Sequence, residues 1–200
     1  MPLNLDALNE AQKGAVLHKD GPMMIIAGAG SGKTRVLTHR IAHLMEKGID
    51  SFNILALTFT NKAAREMRNR IEKEVGPEAK NLWMGTFHSV FARILRAEGG
   101  KLGYPNNFTI YDTDDSKSLI KAIVKEFNLD DKLYKANVVL NRISAAKSRL
   151  ISSQQYNDDP IYLSEDTEMQ RPEIGRIYKA YADRCFRAHA MDFDDLLFNT

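Results

Sequence analysis

Ala27-Gly28-Ala29-Gly30-Ser31-Gly32-Lys33-Thr34 has the spacing of a phosphate-binding loop. The apolar run Met23-Met24-Ile25-Ile26 leads into it and a helix-period segment from Lys33 leads out, which is the strand–loop–helix setting such a loop needs. Glycines let the backbone curl until successive N–H groups face one point and hold phosphate oxygens. The helix N-terminus behind them adds free N–H donors and partial positive charge. Lys33 is placed to reach the β- and γ-phosphates, and the Thr34 hydroxyl to ligate Mg²⁺. Ala27 stands where the strict pattern has its first glycine, so the motif is met in its relaxed form.

A chain of 200 residues with 44% hydrophobic and 27% charged side chains has the make-up of an ordinary soluble protein of one or two domains. The single cysteine, Cys185, excludes a disulfide framework and a cysteine-based zinc site. With no membrane-length apolar run and no signal-peptide layout at the N-terminus, a reducing, cytoplasmic setting is expected. Net charge is +2, but unevenly spread. Residues 1–108 hold 15 Lys+Arg against 10 Asp+Glu, and residues 109–200 hold 13 against 16. The basic first part is compatible with a polyanionic partner without requiring one.

Outward from the loop, apolar positions Val36, Leu37, Ile41, Leu44 and Met45 predict a helix over 33–47, with Gly48 as its stop. Ile54–Phe59 reads as a buried parallel strand. Thr60 or Asn61 caps a helix with the inner stripe Ala64, Met67, Ile71 and Val75. Leu82–Phe87 is a third strand candidate, followed by a helix through Leu95. Strands alternating with helices imply a parallel sheet covered by helices, an α/β fold with its ligands at the C-terminal strand edge. Past Gly99-Gly100, Gly103 and Pro105 the alternation stops. After the short Phe108–Tyr111 stretch, Asp112 or Thr113 caps a helix with the stripe Leu119, Ile120, Ile123, Val124 and Phe127. A second helix covers about 135–150, and a polar loop runs from Ser152 to Thr167. Pro172 then opens a helix with Ile174, Ile177, Tyr178, Tyr181 and Cys185 on its apolar face. This second unit is mainly helical.

Several residues around the loop carry two readings each. The Gln12 carboxamide matches the edge of adenine, or is a solvated group on a short helix. Arg35 can lay its guanidinium over a base, or is a surface arginine. Thr58-Phe59-Thr60-Asn61-Lys62 suits single-stranded nucleic acid, with the ring stacking a base and the polar groups holding phosphate. Thr86-Phe87-His88-Ser89 repeats the pattern after the next strand. Each is also a plain strand end with a helix cap. Among the histidines, His39 and His43 share a helix face, but no carboxylate stands at metalloprotease spacing. Lys132, Lys135, Arg142, Lys147 and Arg149 form a basic run that reads as a solvated helix face, with contact to duplex DNA as the other possibility. A self-contained P-loop kinase or ATPase is a rival reading, with Asp112 as its metal carboxylate. A binding module that only keeps nucleotide affinity is another.

Taken together, these residues resemble the N-terminal part of a superfamily 1 DNA helicase of the UvrD/PcrA/Rep type. Leu8–Gln12 resembles the Q motif and Ala27–Arg35 resembles motif I. Thr58–Ala64 (TFTNKAA) resembles motif Ia, Gly85–Ser89 (GTFHS) motif Ib, and Asp192–Leu197 (DFDDLL) motif Ic. The resemblance implies a RecA-like P-loop NTPase domain 1A over 1–108, an inserted helical domain 1B over 109–189, and a return to 1A over 190–200. It further implies ATP-driven 3′ to 5′ movement along single-stranded DNA with separation of duplex. On that reading Gln12 and Arg35 contact adenine; Ala27, Gly28, Ala29, Gly30, Ser31, Gly32 and Lys33 surround the phosphates; and Thr34 takes Mg²⁺. Phe59, Thr60, Asn61, Lys62, Thr86 and His88 line the DNA track. The family's Asp-Glu pair of motif II would follow motif Ic, beyond Thr200. The expectation is therefore a fragment with an incomplete sheet that binds ATP but hydrolyses it poorly, lacks its C-terminal helicase domains, and self-associates through an open sheet edge.

Overall fold

The structure is a computed structural model that describes residues 4–200. The chain forms two compact units, one extending to Val90 and the other running from Phe91 to Thr200.

In the first unit, α1 (Glu10–Leu17) precedes the glycine loop and α2 (Lys33–Glu46) follows it. Strand β1 (Leu55–Thr58), helix α3 (Asn61–Val75) and strand β2 (Trp83–Thr86) make a βαβ unit, and α4 (Phe87–Glu98) leaves directly from β2. The two strands are parallel, Leu55 opposite Trp83 and Thr58 opposite Thr86. Ile41, Ile54, Ala56, Met67, Ile71, Leu82 and Met84 form the core. Alternation along β1 sends Ala56 inward and leaves Leu55 exposed, so one sheet face carries most of the burial. Gly85 belongs where it is because a Cβ there would lie 2.5 Å from Ser89 Oγ. That close approach lets α4 start flush with the strand end.

The strand expected at Met23–Ile26 is not formed. Met24 and Ile26 are 84% and 88% exposed, and the run has no ladder partner among the described residues. A strand is made by its neighbour's hydrogen bonds, and β1 and β2 bond only to each other. Leu37, expected on the inner stripe of α2, is also exposed, while Val36 and Ile41 are buried.

In the second unit, β3 (Thr109–Tyr111) pairs in parallel with β4 (Ala190–Asp192). Between them run α5 (Thr113–Glu126), α6 (Ala136–Ser148), α7 (Ser153–Asp158), α8 (Pro160–Glu168) and α9 (Ile174–Arg187), and α10 (Phe193–Phe198) follows. Ile120, Ile123, Val139, Ile143, Tyr156, Ile177, Tyr178 and Tyr181 fill the core. Phe108, Met191, Leu196 and Leu95 of α4 make a satellite cluster. Asp112 caps α5, accepting from the N–H groups of Asp114 and Asp115, bonds that hold its carboxyl below the usual range.

Two expectations fail here for physical reasons. The segment 152–167 is not a polar loop but carries α7 and most of α8. Ser152 and Gln155 form a capping box, and Asp159 caps a helix whose first residue is Pro160. The basic run is a solvated face only in part: Lys132, Lys135 and Arg149 are exposed, but Arg142 and Lys147 are not. Lys147 is buried, 2.8 Å from Asp192 and 2.7 Å from Asp195. Arg142 is gripped by Glu165 and Asp166 and donates to Tyr156 Oη. Tyr181 Oη bonds Asp192 and Ser116, completing a buried network that ties α6, α9, α5 and the α10 cap together.

Candidate functional site

Four local features shape the loop. Gly30 and Gly32 have φ of +77° and +87°, which side-chain-bearing residues rarely adopt. Gly32 is the N-cap of α2 and supplies no side-chain cap, so the first N–H groups of that helix remain available to an anion. Lys33 Nζ folds back over the loop, donating to Ala27 O at 2.9 Å and Gly28 O at 2.8 Å. An ammonium has three donors, so one is left for a ligand oxygen. Ser31 Oγ donates to Gly28 O at 2.7 Å and tightens the turn.

Gln12 closes the arrangement. Its Oε1 accepts from the Asn9 N–H at 3.1 Å within a capping box, and its Nε2 donates to Ser31 O at 2.9 Å. Each half of the carboxamide keeps one further bonding position, one N–H and one lone pair, the pair that an adenine edge requires. A Cβ on residue 32 would sit 2.8 Å from Gln12 Nε2 and displace that flexible carboxamide, while the φ of +87° is the stricter demand for glycine.

Gln12, Gly30, Ser31, Gly32, Lys33, Thr34 and Arg35 all line one cavity of about 400 Å³, together with Arg70 of α3. The sequence brings seven of these eight forward. Arg70 lies outside the motifs and reaches the cavity only because α3 packs on α2. Ala27 and Gly28 take part through their carbonyls, and Ala29 is not among the lining residues. No carboxylate lines the cavity, and among the described residues no group of three His, Cys, Asp or Glu could hold a metal. Open N–H groups, a lysine and the hydroxyls of Ser31 and Thr34 are a donor set that fits a Mg²⁺-bound triphosphate.

The second set of residues gathers at the C-terminal ends of β1 and β2, where Thr58 and Thr86 are register partners. Phe59 is 89% exposed and its ring stands 5.5 Å from that of Phe87. Thr60 caps α3 by accepting from Ala63 N, and Thr86 Oγ1 accepts from Ser89 N. Asn61, Lys62 and His88 are exposed. The two hydroxyls therefore serve as caps, while the exposed phenyl ring has no comparable structural task. Gly85, which sets the spacing of this edge, is the residue that motif reading passed over as structure.

Loop, uncapped helix and parallel strand ends define a P-loop nucleotide-binding protein. The chain matches the UvrD/REP helicase N-terminal domain over residues 8–200 and belongs to that family. It is 44% identical over 98% of its length to the ATP-dependent DNA helicase PcrA of Staphylococcus aureus. It is also 44% identical, over 96% of its length, to the enzyme of the same name from Staphylococcus epidermidis. In both cases the chain spans about a quarter (26%) of the relative's own length. Among the described residues no helix is long and apolar enough to cross a membrane.

Proposed function

We propose that the intact protein is an ATP-dependent DNA helicase that moves 3′ to 5′ on single-stranded DNA in the cytoplasm, with the first unit as the opening part of a RecA-like domain 1A and the helices of the second as domain 1B. The observation that carries this reading is the placing of an open phosphate loop and a nearly fully exposed Phe59 in one unit. Lys33 and the N–H groups of the loop hold the phosphates, Thr34 supplies the hydroxyl for Mg²⁺, and Gln12 and Arg35 face the adenine. Magnesium, when bound, neutralises phosphate charge and polarises the bond to be broken. Phe59 stacks a base while Thr60, Asn61, Lys62, Thr86 and His88 border the DNA backbone.

Base–aromatic stacking contributes about 1–3 kcal/mol per base. Phe59→Ala is therefore expected to weaken binding of a labelled oligothymidine about tenfold, with ATP affinity kept. Unchanged anisotropy titrations would remove Phe59 from the track.

A further inference from the structure

Arg40 lies on α2, two turns beyond the loop, and points its guanidinium at another helix. Its Nη1 donates to Ala15 O at 3.1 Å, Val16 O at 3.3 Å and His18 O at 2.7 Å. These are the carbonyls at the C-terminal end of α1, where helices leave acceptors unsatisfied and carry partial negative charge. The last turn of α1 has no basic residue of its own. The charge that completes it comes from α2, more than twenty residues later in the chain.

We infer that Arg40 is a positioning residue for recognition of the nucleotide base, acting through α1 to set Gln12 against the loop; this rests on the reading of Gln12 as an adenine contact. The helix is fixed to the loop and to α2 by three contacts. Gln12 Nε2 bonds Ser31 O of the loop near its N-terminus, while Val16 packing on Val36 and Arg40 binding the last carbonyls both hold its C-terminal turn. Only the third is charge-assisted, and Arg40 lies on the same helix that presents Lys33 and Thr34 to the phosphates. One rigid α2 thereby couples the phosphate end of the site to the base end. A helix of 8 residues has little hold of its own. Without the Arg40 clamp the C-terminal turn of α1 is held by packing alone and Gln12 is placed less firmly, while the loop, built from Gly30, Gly32 and Lys33, keeps its shape.

The consequence is selective. A carboxamide fixed in place accepts from the adenine amino group and donates to the ring nitrogen beside it, whereas guanine offers an oxygen where the amino group stood. Loss of the clamp should lower affinity for ATP but leave GTP, held by its phosphates alone, unchanged. The test is equilibrium binding of fluorescent ATP and GTP analogues to the full chain bearing Gln12→Ala, Arg40→Ala, Arg40→Lys, or the first two together. Arg40→Ala should reduce the ATP-to-GTP preference about tenfold, Arg40→Lys should restore part of it, and the double variant should be no worse than Gln12→Ala alone. If Arg40→Ala does not fold, Arg40→Lys alone must still fall between wild type and Gln12→Ala. A shift for Gln12→Ala with none for either Arg40 variant, or equal loss of ATP and GTP, overturns the role of Arg40. An unchanged preference in Gln12→Ala overturns the base contact itself, and the positioning role with it.

Discussion

Lys147→Ala is expected to destabilise the second unit by about 3–5 kcal/mol at neutral pH, the range for removing one partner of a buried ion cluster. The side chain is only 3% exposed and bridges Asp192 and Asp195. Burial works against its charge, but the two carboxylates outweigh that and hold its ammonium above the ordinary lysine range. Burial pushes Asp195 up to about 6 against the opposing pull of Lys147. For Asp192 burial is overcome by Lys147 and by bonds from Asp195 N–H and Tyr181, leaving it below the usual range.

The signs differ, so the pH dependence is specific. Stability contributed by Asp192 is present above an ordinary carboxylate pKa of about 3.9 and is lost as pH falls. For Asp195 the folded state prefers the proton, so its contribution declines as pH rises from about 3.9 towards 6. Without Lys147 both carboxylates are buried without a cation, and each can be relieved by a proton. The gap between wild type and variant should therefore narrow as pH is lowered from 7.5 to 5. Urea melts of the second unit's signal at both pH values check this, and a gap that is small or indifferent to pH would show that the cluster is not held by charge.

Lys33→Ala is expected to lower ATP affinity about 10- to 100-fold, the loss of one charge-assisted contact of about 1.5–3 kcal/mol. The fold should tolerate the change. Lys33 is exposed, and its present partners, the carbonyls of Ala27 and Gly28, lie in a loop open to solvent. Calorimetric titration with Mg·ATP, alongside thermal unfolding without nucleotide, separates the two effects. Affinity within threefold of wild type would mean that the glycines and the α2 N-terminus alone hold the phosphates.

The fold was legible where one local signal sufficed. Apolar spacing gave α2, α3, α5 and α9, and every apolar residue read onto α9 is buried. Glycine spacing gave the loop, because φ above zero at Gly30 and Gly32 is a demand that sequence displays directly. What stayed hidden depends on distant partners. Met23–Ile26 has strand composition, yet a ladder needs a neighbour and none of the described strands is one. The burial of Lys147 is decided by Asp192, 45 positions away, so a charge run alone looked solvated. Arg70 and Arg40 sit on helices whose periodicity shows a face but not what that face meets. The caps at Ser152 and Asp159 were present in the sequence; short polar helices carry too little apolar periodicity for those signals to be weighed.

The proposed function turns on the joining of a nucleotide loop to a strand edge proposed to contact DNA. The direct test is ATP turnover by the intact protein with and without single-stranded DNA. A rate that rises on adding oligothymidine, and that Phe59→Ala makes dependent on higher DNA concentration, is the predicted result. Turnover that is indifferent to single-stranded DNA would contradict the central claim.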